Sequence, residues 1–287
     1  MEFTAPAKVN LYLKVLKKRE DGFHQIETLF ERISIKDRLF VEKTTGESVI
    51  ECDDPEVPTS SDSLLAKTIG IFREKTGLDA SFRVKLEKNI PIGAGLGGGS
   101  SDAASLLTGI NELSGAPLAV EELLEAARTL GSDVPFFVKN CPFAVGTERG
   151  DVVKKVESEA KLWHVIVNPP FEVATGSVYG KLSDFGLTKE GPADRMFSAF
   201  LSEHNINRIA ENLHNDLQQI VLRDFPALND VFSELENIGA KGVLLSGSGP
   251  TVFGIFTDRD EADGAALKLR KAFPEEEAWR VYTAHTC

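Results

Sequence analysis

Four stretches of this chain carry residue types out of keeping with ordinary packing. In the run Pro91, Ile92, Gly93, Ala94, Gly95, Leu96, Gly97, Gly98, Gly99, Ser100, Ser101, five glycines fall within seven residues. Glycine reaches positive φ and lets a ligand approach the main chain, at a cost in backbone entropy that bound ligand would offset. Asp102 follows, and Ser100-Ser101-Asp102 reads as the start of a helix over 103–113. Unpaired N–H groups and the dipole at such a helix start suit a phosphate. A P-loop is excluded, because no Lys-Ser/Thr pair ends the run. The spacing Gly93-x-Gly95-x-x-Gly98 fits the dinucleotide pattern, yet the helix leads through 114–117 into another helix rather than a second strand.

The remaining three stretches are single polar residues or short turns. Lys8 and Asn10 stand two apart on an alternating strand over 8–16, so they share a face. Asn is a poor strand former, which implies either a polar partner or a merely solvated face. Asp133 precedes the apolar run 134–138 and is either a helix cap or an acid offered to a ligand. A second glycine turn, Ser246-Gly247-Ser248-Gly249, is weak by itself, since hairpins commonly use such turns.

The elements that must position these residues follow from periodicity and punctuation. A turn at 19–24 sets Phe23 beside His24, and strands are expected over 27–30, 33–42 and 48–51. Ser60-Ser61-Asp62 is expected to cap a helix over 63–75 that Gly77 ends, and a strand over 80–86 delivers the chain to the glycine run. A helix over 121–130 and a hairpin, 142–147 with 152–156 around the turn 148–151, complete the first half. Pro169-Pro170 breaks a strand over 162–168, and the domain boundary is placed at 156/157. Beyond it come a short helix opening at Thr175, a loop at 186–192, helices over 193–201, 215–222 and 227–238, and strands over 243–245 and 251–256 around the second glycine turn. A helix over 260–272 and a strand over 278–284 close the chain. This is an α+β pattern of two domains, 1–156 and 157–287, with one glycine turn in each and a cleft between them.

Composition narrows the function. A chain of 287 residues, 42% hydrophobic, buries a core without staples. The three cysteines, Cys52, Cys141 and Cys287, form no metal or redox spacing and suit reduced thiols in the cytoplasm. A net charge of −12 argues against nucleic acid and anionic membrane as partners, and no apolar run is long enough to span a bilayer.

Taken together, Pro6 to Leu11, the glycine run ending Gly99-Ser100-Ser101, and Leu245 to Gly249 resemble the three motifs of the GHMP small-molecule kinases. Asp21 to His24 and Gly131 to Phe137 are similar to the branch acting on a cytidine diphosphate-linked methylerythritol. The resemblance implies phosphoryl transfer from ATP with Mg²⁺ to a hydroxyl of that small molecule, with Lys8 and Asp133 catalytic and residues 91–101 holding the nucleotide phosphates. It further implies that Phe23, His24, Phe30 and Tyr179 receive the cytosine, and that Asn10 and Thr175 contact the diphosphate and polyol. The family's usual residue before the His is Tyr; Phe23 keeps a stacking face and lacks the hydroxyl. The resemblance implies Ser100 or Ser101 as a Mg²⁺ ligand, and implies no carboxylate ligand and no role for 186–192. The competing readings are a homoserine- or mevalonate-type kinase and a catalytically silent binding member.

Overall fold

The computed structural model describes residues 1–182 and 205–287. The loop expected at 186–192 and the helix expected over 193–201 lie outside them.

The first sheet is built on two long strands, β1 (Glu2–Lys18) and β2 (His24–Thr44), paired antiparallel around the 19–24 turn. What reads in the sequence as two strands over 27–30 and 33–42 is the single strand β2, bent by register shifts. Its outer neighbours are β3 (Val49–Cys52) and β4 (Ser81–Glu87), in the order β3-β4-β2-β1. Helix α1 (Leu64–Thr76) connects them. Its N-cap is Ser63 rather than the expected 60–62 triplet, with the Ser63 hydroxyl accepting from Ala66 N at 3.2 Å. Gly77, in the left-handed region at φ 69°, ends it.

After the glycine turn come α2 (Gly98–Leu113), α3 (Val120–Leu130) and α4 (Val134–Lys139), which pack with α1 on one face of the sheet. The hairpin β5 (Phe143–Thr147) and β6 (Val152–Lys155) joins the sheet through β2. The second sheet contains β7 (Trp163–Asn168). Next are α5 (Thr175–Gly180) and α6 (Ile206–Glu211); α6 was not expected. Strand β8 (His214–Asn215) pairs in parallel with β1, and α7 (Gln218–Asp224) starts after it. The helix expected over 215–222 therefore begins later, because Asn215 is spent on the sheet and on the second glycine turn. Its amide donates to Leu245 O and Gly247 O, both at 2.8 Å. Helix α8 (Leu228–Asn237), β9 (Gly242–Leu245), β10 (Val252–Phe256), α9 (Arg259–Ala272) and β11 (Arg280–His285) complete the chain, with the second sheet in the order β11-β7-β10-β9.

The sheets meet across a shared core. Ala7, Val9 and Leu11 of β1 pack with Ile166, Leu244, Phe253 and Ile255 of the second sheet. That alternation turns the even-numbered residues, Lys8 and Asn10, toward the helices and the glycine turn. The strand is buried on both faces here rather than half-solvated: Lys8, Asn10 and Tyr12 are all buried.

Candidate active site

A cavity of about 1000 Å³ gathers every predicted site residue except Ser101. One end is apolar, with Val57, Pro58, Leu64, Leu65 and Leu86; the glycine turn forms the middle; Phe23, His24, Thr175 and Tyr179 line the other part.

The turn is shaped by alternation. Gly93, Gly95 and Gly97 take φ 63°, 74° and 71°, while Ala94 and Leu96 between them are buried. Gly95 is glycine for packing: a Cβ there would lie 2.3 Å from Ser246 O and 2.9 Å from Gly249 O, so the two glycine turns interlock backbone to backbone. Gly97 is the N-cap of α2 and provides no side-chain cap. The helix therefore starts at Gly98, earlier than the expected 103, and leaves its first N–H groups without intrahelical partners. Ser101 departs from its predicted place. Its N–H donates to Gly97 O at 2.9 Å, closing the first turn, and its side chain is fully buried. The open donors belong to Gly98, Gly99 and Ser100.

Lys8 is held from three directions. Its N–H donates to Leu96 O at 2.9 Å, fastening β1 to the turn. Its Nζ donates to Asn10 Oδ1 at 2.7 Å and to Gly95 O at 3.1 Å, and Asp133 Oδ2 lies 3.4 Å away. An ammonium has three protons; two are fixed by neutral acceptors, and the third is left for the Asp133 side of the cavity. Asp133 makes no side-chain cap bond to α4, although it occupies the N-cap position, with φ −84° and ψ −16°. The two readings of this acid thus part: its carboxylate faces Lys8, with 29% side-chain exposure against 5% for the lysine.

Asn10 is an orienting residue here. Its oxygen takes the Lys8 proton and its amide donates to Thr28 Oγ1 at 2.7 Å, while the Thr28 hydroxyl donates to Tyr12 O at 2.7 Å. Sequence reasoning missed Thr28, which is fully buried; only its pairing across from β1 marks it.

The aromatic group divides. His24 and Tyr179 rings stand 5.3 Å apart at 31°, and Phe23, 52% exposed, has the Arg149 guanidinium 5.1 Å over its ring. Phe30 lines the same cavity from a more buried position. It is 1% exposed, stacked on Phe136 at 4.9 Å, and forms the floor beneath the Lys8 ammonium, 5.8 Å away. Burial, assisted by Lys18, lowers the His24 pKa and favours a neutral ring. Burial first, then the Asp133 and Asp216 carboxylates, raise the Tyr179 phenol, which stays a donor. Thr175 reaches across to the second glycine turn, its hydroxyl 2.8 Å from Ser248 Oγ.

Comparison with known proteins gives this geometry its context. The family described as "GHMP kinases N terminal domain" matches residues 63–140, and "GHMP kinases C terminal" matches 196–275. A 4-diphosphocytidyl-2-C-methyl-D-erythritol kinase of Syntrophotalea carbinolica is 38% identical over 283 residues, covering 98% of this chain and 96% of that protein. This chain belongs to the 4-diphosphocytidyl-2-C-methyl-D-erythritol kinase family. A solved 4-(cytidine 5'-diphospho)-2C-methyl-D-erythritol kinase superposes with TM-score 0.81 at 34% identity, over 99% of this chain and 98% of the other. A homoserine kinase from Cytophaga hutchinsonii matches with TM-score 0.76 at 20% identity, covering 99% and 93%, and shares the fold alone. The α+β GHMP fold, with its cleft between the two domains, is thus the kinase fold of this family. Among the described residues no helix is long and apolar enough to cross a membrane.

Proposed function

We propose that this kinase transfers the γ-phosphoryl group of ATP to the 2-hydroxyl of 4-diphosphocytidyl-2-C-methyl-D-erythritol, yielding the 2-phosphate and ADP. The observation that carries the reading is the Lys8–Asp133 pair, 3.4 Å apart in a cavity that also holds an open helix N-terminus and a slot lined by His24 and Tyr179. Donor phosphates and an acceptor with a flat base have separate places on either side of a fixed acid and cation.

The alcohol oxygen bonds to the γ-phosphorus as the bond to the β–γ bridging oxygen breaks, and the hydroxyl proton passes to an Asp133 carboxylate oxygen. Lys8 stabilises negative charge on the transferring group. Its position is pre-set by Asn10 and Gly95, so no reorganisation is needed during the reaction. The N–H groups of Gly98, Gly99 and Ser100 hold the phosphates, and the apolar end at Val57, Leu64 and Leu65 receives the adenine. Mg²⁺ bound with the nucleotide would offset phosphate charge, and the Ser100 hydroxyl, at the opening of α2 on the cavity wall, is the protein group that would help hold it. Among the described residues no three His, Cys, Asp or Glu side chains stand together as a metal cage.

Phe23 and Tyr179 give the cytosine faces to stack on, and neutral His24 reads its polar edge. Thr175 and Asn10 border the path between base and reacting hydroxyl. We place the division between domains at 156/157, with β8 returning to the first sheet. Localisation in the cytoplasm follows from the same metabolic reading, with no nucleic acid or membrane partner.

The test is direct. Protein, Mg-ATP and the cytidyl diphosphate alcohol are incubated, and ADP and a singly phosphorylated product are followed by phosphorus NMR and mass. Comparable turnover of homoserine or mevalonate overturns the acceptor assignment.

A further inference from the structure

Against the phosphate turn lies a largely buried charge set, of which Lys88 and Asp102 also line the cavity. Asp37 of β2 is fully buried. Its Oδ1 accepts the backbone N–H groups of Asn89 at 2.5 Å and Ile90 at 2.8 Å, and its Oδ2 pairs with Lys88 Nζ. The same ammonium donates to Asp102 Oδ2 at 2.8 Å. Asp102 sits in the opening turns of α2, 3% exposed, and its Oδ1 has no hydrogen-bond partner among the described residues.

One cation therefore ties both ends of the glycine turn, its entry at 88–90 and its exit at Asp102, to one strand. The fit is tight. A Cβ on Gly98 would lie 2.9 Å from Ile90 Cγ2 and 3.0 Å from Lys88 Nζ, so the ammonium supports the backbone from which the first open N–H projects.

The charge balance is uneven. Two buried carboxylates share one ammonium, and Lys88 (from the end of β4) and Asp37 (from β2) are the charged groups facing Asp102. With both acids ionised the set carries a net negative charge directly under a site for polyphosphate. We infer that Asp37, Lys88 and Asp102 are the positioning set of the phosphate turn, holding the backbone that bears its open N–H groups. Burial pushes Asp102 up to about 7, opposed by Lys88 and assisted by Asp37. Burial works to lower Lys88, and Asp102 and Asp37 outweigh it, so the lysine remains the cation.

This inference rests on the glycine turn being the donor phosphate site, and ADP binding separates the two ideas without requiring catalysis. ADP affinity is measured by calorimetry for the wild-type chain and for Asp102→Asn, which keeps an oxygen for Lys88 and is expected to bind within about threefold of wild type. No ADP binding by the wild type overturns the donor site itself. Positioning is read from a triple variant, Asp37→Asn, Lys88→Met and Asp102→Leu, which removes both ion pairs without stranding a buried carboxylate. Its ADP Kd is expected to rise at least about tenfold with the KM for the cytidyl acceptor within about twofold. Unchanged ADP affinity in this variant refutes the positioning role.

Discussion

Replacing Gly95 with Ala tests the claim that part of the glycine turn is bare for packing rather than for ligand. At φ 74° an alanine pays about 1–2 kcal/mol for the left-handed region. Its Cβ would stand 2.3 Å from Ser246 O, well inside contact distance, so the two glycine turns must part. Parting them breaks the Ser246 Oγ to Gly95 O bond of 3.0 Å, worth about 1 kcal/mol, and the Lys8 Nζ to Gly95 O bond of 3.1 Å, a charged one worth about 1.5–3 kcal/mol. The total is about 4–6 kcal/mol, a large share of the stability of an ordinary domain. Gly99→Ala is the control, since Gly99 is helical and its added Cβ meets nothing nearer than Leu64 Cδ2 at 3.9 Å. Helix propensity alone favours the alanine by up to about 1 kcal/mol. Urea denaturation at low temperature gives both stabilities, and steady-state kinetics on purified protein gives KM for ATP. Gly95→Ala is expected to be strongly destabilised; Gly99→Ala is expected to be as stable as the parent or more so, with a raised KM for ATP because its methyl group points into the phosphate site. A Gly95→Ala protein within about 1 kcal/mol of the parent refutes the interlocking of the turns.

Asp133→Asn should lower kcat by about 10²–10⁴ with little change in either KM, read by product formation under saturation; near-full activity would return the residue to a purely structural role. Thr28→Val leaves the buried Asn10 amide without its acceptor, costing about 1–3 kcal/mol of stability. Because Asn10 then releases Lys8, kcat should fall while the KM for ATP holds, as checked by kinetics on the folded fraction. Phe23→Ala removes a stacking face worth about 1–3 kcal/mol and should raise acceptor KM about tenfold or more without changing ATP KM. The His24 pKa is lowered by burial and by Lys18, so its ring is neutral at neutral pH and acquires charge only below its usual range. Acceptor KM should therefore be level at and above neutrality and rise as pH falls through that lowered range. The stability contributed by keeping the ring neutral is lost in the same direction, and His24→Gln should flatten the KM profile.

The elements carrying strong periodicity were legible. Alternation through Val9 and Leu11 implies a buried face opposite Lys8 and Asn10, and the run from β4 through the glycines to α2 is contiguous in sequence and in space. Errors fall where long-range contacts decide. Asn215 looks like a helix opening, yet its amide is claimed by Leu245 O and Gly247 O thirty and thirty-two residues away, and α7 starts only after it. Phe30 belongs to the aromatic group by type; its burial against Phe136 of α4 has no local sequence signal. Thr28 and Asp37 give no local signal at all, because each is a single polar residue in an otherwise ordinary strand whose partners come from other strands and turns.

Asp102 shows why spacing alone misassigns a residue of this kind. Ser-Ser-Asp ahead of an apolar run has the pattern of a helix start, and the sequence reading makes Asp102 part of the cap. The helix instead begins five residues earlier at Gly98, because Gly97 supplies the turn without any side chain. That shift leaves the first N–H groups open for phosphate and carries Asp102 inside the helix, where an acid needs a cation. Lys88, fourteen residues upstream at the exit of β4, supplies it. The absence of a capping side chain at the helix start and the presence of a buried ion pair within its opening turns are therefore one arrangement: the dipole stays uncapped for the ligand, and the support comes from below.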